Sequence, residues 1–311
     1  MQRLTNDRGA VGVMVALLMI PLIGFAAIAI DVSAMWAQRQ QLQTGADAAA
    51  LAIAQNCARA ACGTPSTTAQ TMSTANLNTG TSTATVATLT SSKVTVNNSS
   101  VRQNLFAPIL GVDQNTIAAS ATAVWGAPIG GMALLPLAFS WCEFLQQTGG
   151  GLPSGTTSRT IYFTKTSGAT SCTNQSGNLT PGGFAWLLND PGTCHSTSAI
   201  NGLVTVSTGN SVPAGCSAAD IAALMNTTVL LPLFDQATGT GANATYRIFG
   251  YAAFRLTGYN FGGQYKSTPA PCSGNERCVA GYFVNYVDLS DAFTYGVGAP
   301  QLGSNVVILT Q

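Results

Sequence analysis

The longest apolar run in the chain lies near the amino terminus. Residues 10–30 are twenty-one consecutive positions without a charged side chain. Because an α-helix rises about 1.5 Å per residue, a helix of this run would be roughly 30 Å long, which matches the hydrocarbon thickness of a bilayer. The pattern therefore predicts a transmembrane helix at residues 10–30.

The helical spacing of apolar residues continues after Asp31, although polar residues now occupy many of the positions between them. This spacing of three or four residues, interrupted at Arg39, is typical of an amphipathic helix. We therefore expect one unbroken helix to leave the membrane. Its apolar stripe consists of Val32, Met35, Leu42, Ala46, Ala49 and Ile53.

The charges at the two ends of the apolar run differ in sign. Arg3 and Arg8 outnumber Asp7 before it, whereas Asp31 is the first charge after it. The positive-inside tendency favours a cytoplasmic leader at residues 1–9, and hence a single-pass protein of the cell membrane with an extracytoplasmic carboxyl-terminal domain. A cleaved signal peptide is the alternative, since Ala27-Ile28-Ala29 resembles a cleavage site, but the run exceeds the usual signal core of about 7–15 residues.

The pattern beyond the helix changes from period 3.6 to short alternating runs, typical of strands. Residues 64–92 are rich in Thr and Ser and indicate a linker or surface strands. Next come a strand at 94–96, a short turn ending at Gly111, an alternating strand at 116–125, and a hinge containing Gly126, Pro128, Gly130 and Gly131. Further strands are predicted at 133–140, 160–164, 203–207, 228–234, 245–259, 279–287 and 305–310.

Two details refine the second half of the chain. Ser217 followed by Asp220 predicts a capped helix. In the strand at 245–259, Arg247 and Arg255 oppose an apolar face, which indicates a half-solvated antiparallel strand. The predicted class is α+β, with a transmembrane helix continuing into an amphipathic helix and then an antiparallel β-rich exported domain. The predicted divisions are 1–9, 10–30, 31–126 and 127–311.

Cysteine usage supports export. All eight cysteines follow residue 56 and none forms a C-x-x-C pair, which predicts four disulfides in an oxidising compartment. Although 105 pairings are possible, chain proximity favours Cys57–Cys62, Cys142–Cys172, Cys194–Cys216 and Cys272–Cys278. The first of these requires the helix to end between its cysteines, as Gly63 and Pro65 suggest.

Charge is scarce in this chain: 7% of residues are charged, and the net charge is +1. This balance leaves no basic face for nucleic acid and no acidic face for cations. His195 is the only histidine, and it follows Cys194 in a turn-like sequence, so we expect neither catalysis nor a zinc site there. No phosphate-binding, dinucleotide-binding or nucleophile-elbow motif is present. We therefore expect a protein that is not an enzyme and has no metal or other cofactor.

Residues 31–52 read DVSAMWAQRQQLQTGADAAALA. This order of an Asp, an aromatic, an Arg, Leu-Gln and an alanine-rich run with one Asp closely resembles the signature of TadE/TadG-like proteins of Flp (Tad) pilus assembly. The resemblance covers residues 8–56, and the segment closing at Trp125 is similar to the end of the TadG-like module. It implies a membrane-anchored component that assists assembly or anchoring of a pilus, with other such anchors, pilus-assembly proteins and membrane lipid as partners.

The resemblance also marks candidate residues for helix interaction. They are Asp31, Trp36, Arg39, Leu42, Ala46, Asp47, Ala49, Ala50 and Ile53. The alanines form a smooth face that either another helix approaches closely or the chain's own domain covers. Asp31 either pairs with a partner in the headgroup region or marks the membrane interface.

The chain departs from two related patterns, and two other functions stay open. Gly9 stands where pilin precursors are processed, but Met14 replaces the glutamate usual in those precursors. The von Willebrand factor A module of some TadG relatives begins Asp-x-Ser-x-Ser, and the run from Asp288 and Ser290 lacks the last serine, so we reject that module. An anchored adhesin unrelated to a pilus and an exported hydrolase are the alternative functions, and oligomeric state stays open.

Overall fold

The computed structural model describes residues 8–164, 171–174, 177, 179–207, 209–239, 244–296 and 298–310. Most of the leader expected at residues 1–9, with Arg3 and Asp7, lies outside this range. The chain divides into two compact units. Unit 1 comprises Met1–Asn56, Cys62–Val124 and Leu309–Gln311, and unit 2 comprises Cys57–Ala61 and Trp125–Ile308.

The amino-terminal part is one α-helix, α1, which runs from Arg8 to Ala58 through Pro21 without a break. Among the described residues, one helix, Gly12–Ala58, is long and apolar enough to cross a membrane. Apolar side chains in the first part of α1, such as Leu18 and Phe25, are exposed. An apolar surface on all sides of a helix requires apolar surroundings such as lipid. The prediction that the helix continues unbroken past residue 30 is confirmed.

Unit 1 also contains one further helix and three consecutive antiparallel strands. The elements are α2 Pro65–Ala75, β1 Thr83–Leu89, β2 Lys93–Gln103, a 3-10 turn at Ala107–Leu110 and β3 Gln114–Gly126. In β2 and β3 every second residue is buried, as the alternation of their sequences requires, with Val94, Val96, Ile117 and Ala119 on the inner face.

The second half of α1 lies on this inner face. Leu42 packs with Ile117 and Ala119, and Met35 and Leu77 lie against the same cluster. The Asn98 side chain donates to the Leu42 carbonyl at 3.1 Å. The sheet therefore meets α1 through apolar contacts from β3 and a buried polar contact from β2.

The helix α2 corrects the prediction of a linker or surface strands at residues 64–92. Only β1, the surface strand in this stretch, agrees with it. Threonine and serine are weak helix formers, but Pro65 fits a first helical turn and the buried Ala69 and Ser73 supply tertiary packing. At Gly45 of α1, an added Cβ would lie 3.0 Å from the Asn98 amide nitrogen and 3.1 Å from the Ser73 Cα. A missing side chain on α1 thus lets α2 approach.

The chain after residue 126 consists mainly of strands. They are β4 Pro128–Ala133, β5 Leu137–Ser140, β6 Arg159–Tyr162, β7 Ser171–Thr173, β8 Leu179–Pro181, β9 Phe184–Trp186, β10 Ser196–Ala199, β11 Leu203–Thr205, β12 Thr228–Thr238, β13 Thr245–Gly262, β14 Tyr265–Lys266, β15 Cys278–Val284, β16 Tyr286–Asp288, β17 Phe293–Tyr295 and β18 Ser304–Thr310. The helices are α3 Trp141–Thr148 and α4 Ala218–Ala223, the latter with the predicted Ser217–Asp220 capping box.

The main sheet of unit 2 has the order β6-β15-β13-β12-β5-β9, and β11 and β14 also pair with β13. Smaller sheets contain β10-β4-β17 and β7-β8, while β16 and β18 pair in parallel. The core of unit 2 contains buried aromatic rings. The ring centroids of Phe139 and Phe254 are 4.6 Å apart. The predicted α+β class with mostly antiparallel sheets is confirmed.

Two sequence expectations in this region need correction. The strand predicted as half-solvated, β13, alternates as expected beside Arg247 and Arg255, but it is buried on both faces from Gly250 to Phe254. Three residues of the predicted hinge, Pro128, Gly130 and Gly131, lie in the strand β4. A Cβ on Gly131 would overlap the backbone of Ala292 and the ring of Phe293, so this glycine permits β17 to approach β4.

Every cysteine of the chain is disulfide-bonded. The structure joins Cys142 to Cys172, Cys194 to Cys216 and Cys272 to Cys278, the pairs that chain proximity predicts. Cys57 and Cys62 are both disulfide-bonded as well, and their mutual pairing stays a prediction.

We expect Gly45→Leu to destabilise unit 1 by about 1–3 kcal/mol, because the larger side chain meets α2 and β2 at once. The measurement is hydrogen exchange of the β2 and β3 amides in the full-length protein in detergent. Thr44→Leu is the matched control on the exposed side of the same turn, where substitutions stay within about 0.5 kcal/mol. Equal protection in the two variants would contradict the close packing at Gly45.

Removing a long-loop disulfide should cost more stability than removing a short one. Cys194–Cys216 spans 22 residues and Cys272–Cys278 spans 6, for which the chain-entropy model gives about 3.4 and about 2.2 kcal/mol. Replacing each pair by two serines and measuring urea unfolding of unit 2 tests this order. A larger loss from the Cys272–Cys278 pair would show that native-state packing outweighs loop closure.

Candidate functional site

The site of interest lies where α1 leaves the apolar run. Asp31 is buried there, and its carboxylate accepts three backbone hydrogen bonds, from the N–H of Leu105 at 2.9 Å, of Phe106 at 2.9 Å and of Ala107 at 2.8 Å. These donors lie at the start of the 3-10 turn, where the first N–H groups lack partners within the turn. The carboxylate therefore caps the connection between β2 and β3 and joins it to α1.

The local sequence explains why the three N–H groups point to one carboxylate. The Asn104 side chain donates to the Val112 carbonyl at 2.9 Å and its backbone N–H to Asp113 at 2.9 Å, closing the base of the connection. Pro108, the second residue of the turn, has no N–H and so needs no acceptor, and Gly111 ends the turn with φ at 82°. The segment 104–113 is thus a tight loop whose three N–H donors converge on one carboxylate.

The electrostatic balance keeps Asp31 ionised. Burial raises the pKa of this carboxyl group, but the three backbone hydrogen bonds and the positive charge of Arg102 outweigh it, so the pKa lies below its ordinary value. Arg102 donates to the Gln38 side chain at 3.2 Å, and Gln38 donates to Ser100 at 3.0 Å. A polar network therefore continues along α1 from Asp31.

The comparisons with known proteins bear on this same segment. Residues 9–60 match the family model described as Flp pilus-assembly TadE/G-like. The chain carries a TadE/G-like domain. Searches of curated proteins and of solved structures found no match.

The TadE/G-like signature residues divide into two groups in the structure. Asp31, Leu42, Ala46, Ala49, Ala50 and Ile53 are buried. Trp36 and Arg39 are exposed, and Asp47 is half-buried with the Gln43 amide at 2.8 Å. The small-residue stripe is thus covered within the chain, which was one of the two alternatives, and it does not offer a free seam to another helix.

The structure also adds residues that sequence reasoning missed. Gln38, Asn98 and Arg102 complete the contacts of the TadE/G-like helix with its module, and Asn104 closes the loop that Asp31 caps. For Gln38 the sequence signal is position, since Asp31, Gln38 and Gly45 are seven residues apart and fall on one helix face.

Outside the TadE/G-like domain, the one histidine lies in a surface pocket with Thr193, Gly215 and Asp220. The backbone N–H and the hydroxyl of Ser217 hold the pKa of Asp220 below its ordinary value, with a smaller contribution from His195. Among the described residues, no hydrogen bond joins the ring of His195 to a carboxylate or a hydroxyl group. This arrangement lacks the oriented base that activates a nucleophile.

Other acidic groups are committed to local structure. The Asp190 carboxylate accepts from the backbone and hydroxyl of Thr197, and the Asp288 carboxylate from the backbone and hydroxyl of Ser290. In the part of the chain that the structure describes, no group of three or more His, Cys, Asp or Glu side chains is placed to hold a metal ion.

We expect Asp31→Asn to loosen the 104–113 loop, because the amide nitrogen cannot accept the backbone N–H groups. Asp47→Asn is the control, since it alters only the contact with Gln43. Hydrogen exchange of Leu105, Phe106 and Ala107 in the full-length protein should rise in the first variant and stay unchanged in the second.

The pH dependence has a defined sign. Since folding lowers the pKa of Asp31 from its ordinary 3.8, the contribution of its charge is present above that value and is lost as pH falls through the folded pKa. Titrating wild type and Asp31→Asn from about pH 5 to about pH 2 should show an extra acid-induced loss of protection in wild type. Parallel curves would contradict the proposed role of the charge.

Proposed function

We propose that this protein is a single-pass membrane component that assists assembly or anchoring of a Flp-type pilus through protein–protein interaction. The observation that carries the proposal is the coincidence of the TadE/G-like match at residues 9–60 with the long apolar helix. In this proposal the helix is retained, the amino terminus is cytoplasmic and both folded units stand outside. The disulfides support that side, because stable disulfides belong to oxidising compartments.

The proposed action is mechanical. The 51 residues of α1 run continuously from the membrane into unit 1, and Asp31 fastens the β2–β3 loop to the helix at the point of exit. A load applied to the exported part is thereby passed to the anchor without a flexible joint at that point.

The partner surface is proposed on the exposed side of the TadE/G-like helix. Trp36 is 65% exposed, and Arg39 lies within one turn of it on the exposed surface of α1. Tryptophan and arginine dominate the binding energy of many interfaces. We therefore propose Trp36 and Arg39, and not the buried alanine stripe, as the residues that contact the partner.

The test is deletion of the gene, followed by counting surface filaments by electron microscopy. The expected result is a loss of filaments that the wild-type gene restores.

Trp36→Ala should weaken co-purification of other TadE/G-like anchors by about tenfold or more, as truncation of a central anchor side chain does. Thr44→Ala, exposed on the same helix, is the matched control. Normal filaments with lost surface adhesion would favour the anchored adhesin instead.

A further inference from the structure

The loop that Asp31 caps exposes an apolar surface of its own. The exposed fractions are 66% for Leu105, 39% for Phe106, 85% for Ile109 and 44% for Val112. No charged residue occurs between Arg102 and Asp113. We call residues 104–112 the apolar turn. A cluster of exposed apolar side chains in a short uncharged loop indicates contact with a membrane or another protein.

The contacts of α1 fix the height of the apolar turn along the helix. Leu42 meets Asn98, Gln38 meets Ser100, and Asp31 meets Leu105. Strand β2 therefore runs antiparallel to α1. Its carboxyl-terminal end lies next to the end of the apolar run, and the apolar turn follows directly after it. Its first residues lie level with Asp31, one position beyond the uncharged run at 10–30.

Most backbone N–H groups of the apolar turn have hydrogen-bond partners, either within the turn or on Asp31. The N–H groups of residues 105–107 bond to Asp31, while Ile109 bonds to the Phe106 carbonyl at 3.1 Å and Val112 to the Ala107 carbonyl at 3.2 Å. Gly111 bonds to Pro108 at 3.0 Å, and Pro108 has no N–H. Irregular backbone enters an apolar environment only when its polar groups are paired in this way.

We propose that the apolar turn inserts into the lipid surface beside the helix, at the boundary between headgroups and acyl chains on the side where unit 1 stands. The occupant is lipid because the turn lies beside α1 at the end of the uncharged run, contains no charged residue and has most of its backbone N–H groups paired. This inference rests on the membrane anchor of the proposed function.

A second lipid contact would have a mechanical consequence. A single helix that is apolar on all sides can tilt toward any of its faces, since tilt is set by neighbouring helices and interfacial anchors. A loop that Asp31 fixes to the helix, and that is immersed on one side, restricts the direction of this tilt. Unit 1 then stands at a defined angle to the membrane plane, while rotation about the membrane normal stays free.

The experiment uses the full-length protein in nanodiscs of phosphatidylethanolamine and phosphatidylglycerol. Photoreactive benzoylphenylalanine replaces Ile109 in one variant, Leu89 in a second and Leu22 in a third, and mass spectrometry measures lipid adducts after illumination. Leu89 is the matched control, since it is also exposed and apolar but pairs with Val94 at the far end of the same sheet. Leu22, exposed within the apolar run, reports the anchor itself.

We expect lipid adducts at positions 22 and 109, and about tenfold fewer at position 89, a ratio equivalent to about 1.4 kcal/mol. Adducts at 22 with position 109 no higher than 89 would overturn the inference and leave the anchor intact. No adduct at 22 would remove the anchor and the inference together. In native membranes, a protein adduct in place of lipid at 109 would assign the turn to a protein partner and overturn the proposal.

Discussion

The contact between the Asp31 carboxylate and three backbone N–H groups is the interaction on which unit 1 depends. It lies at the lower end of the packing between α1 and the sheet, and it satisfies donors that the 3-10 turn leaves open. A buried charge is tolerated only when it is paired and hydrogen-bonded. Asp31 meets that condition through the three N–H groups of the loop and the positive charge of Arg102, so the helix and the loop stabilise each other's conformation.

The rest of the helix–sheet contact follows from this starting point. Asp31, Gln38 and Gly45 succeed one another every seventh residue and face the loop, β2 and the meeting point of β2 with α2. An interface of this kind is specified by hydrogen bonds and by one missing side chain as much as by apolar burial. Its register is therefore well defined, since a shift of one residue would bury unpaired polar groups.

The sequence predicted the elements whose alternation or periodicity was strong and failed where tertiary contacts decided. The runs at 228–234 and 305–310 are strands because their apolar residues suit a covered sheet. In contrast, α2 has no apolar periodicity, and packing at Ser73 makes it a helix. Periodicity also indicates that Ala46 and Ala49 are buried, but it does not indicate what covers them. The sequence therefore leaves a seam between chains as an alternative, whereas the structure covers both alanines within one chain.

Charge has a structural use in unit 2 that leaves little for recognition. The guanidinium of Arg247 binds the buried carboxylate of Asp235, with Nε to Oδ1 at 2.9 Å, and this contact raises the pKa of Arg247. A second ion pair joins the guanidinium of Arg159 to the Glu143 carboxylate, with Nη2 3.7 Å from Oε2. With 7% charged residues in the whole chain, the proposed partner contacts are expected to depend on apolar burial and on hydroxyl or amide hydrogen bonds. They should accordingly respond weakly to ionic strength, since salt screens charges and not apolar contacts.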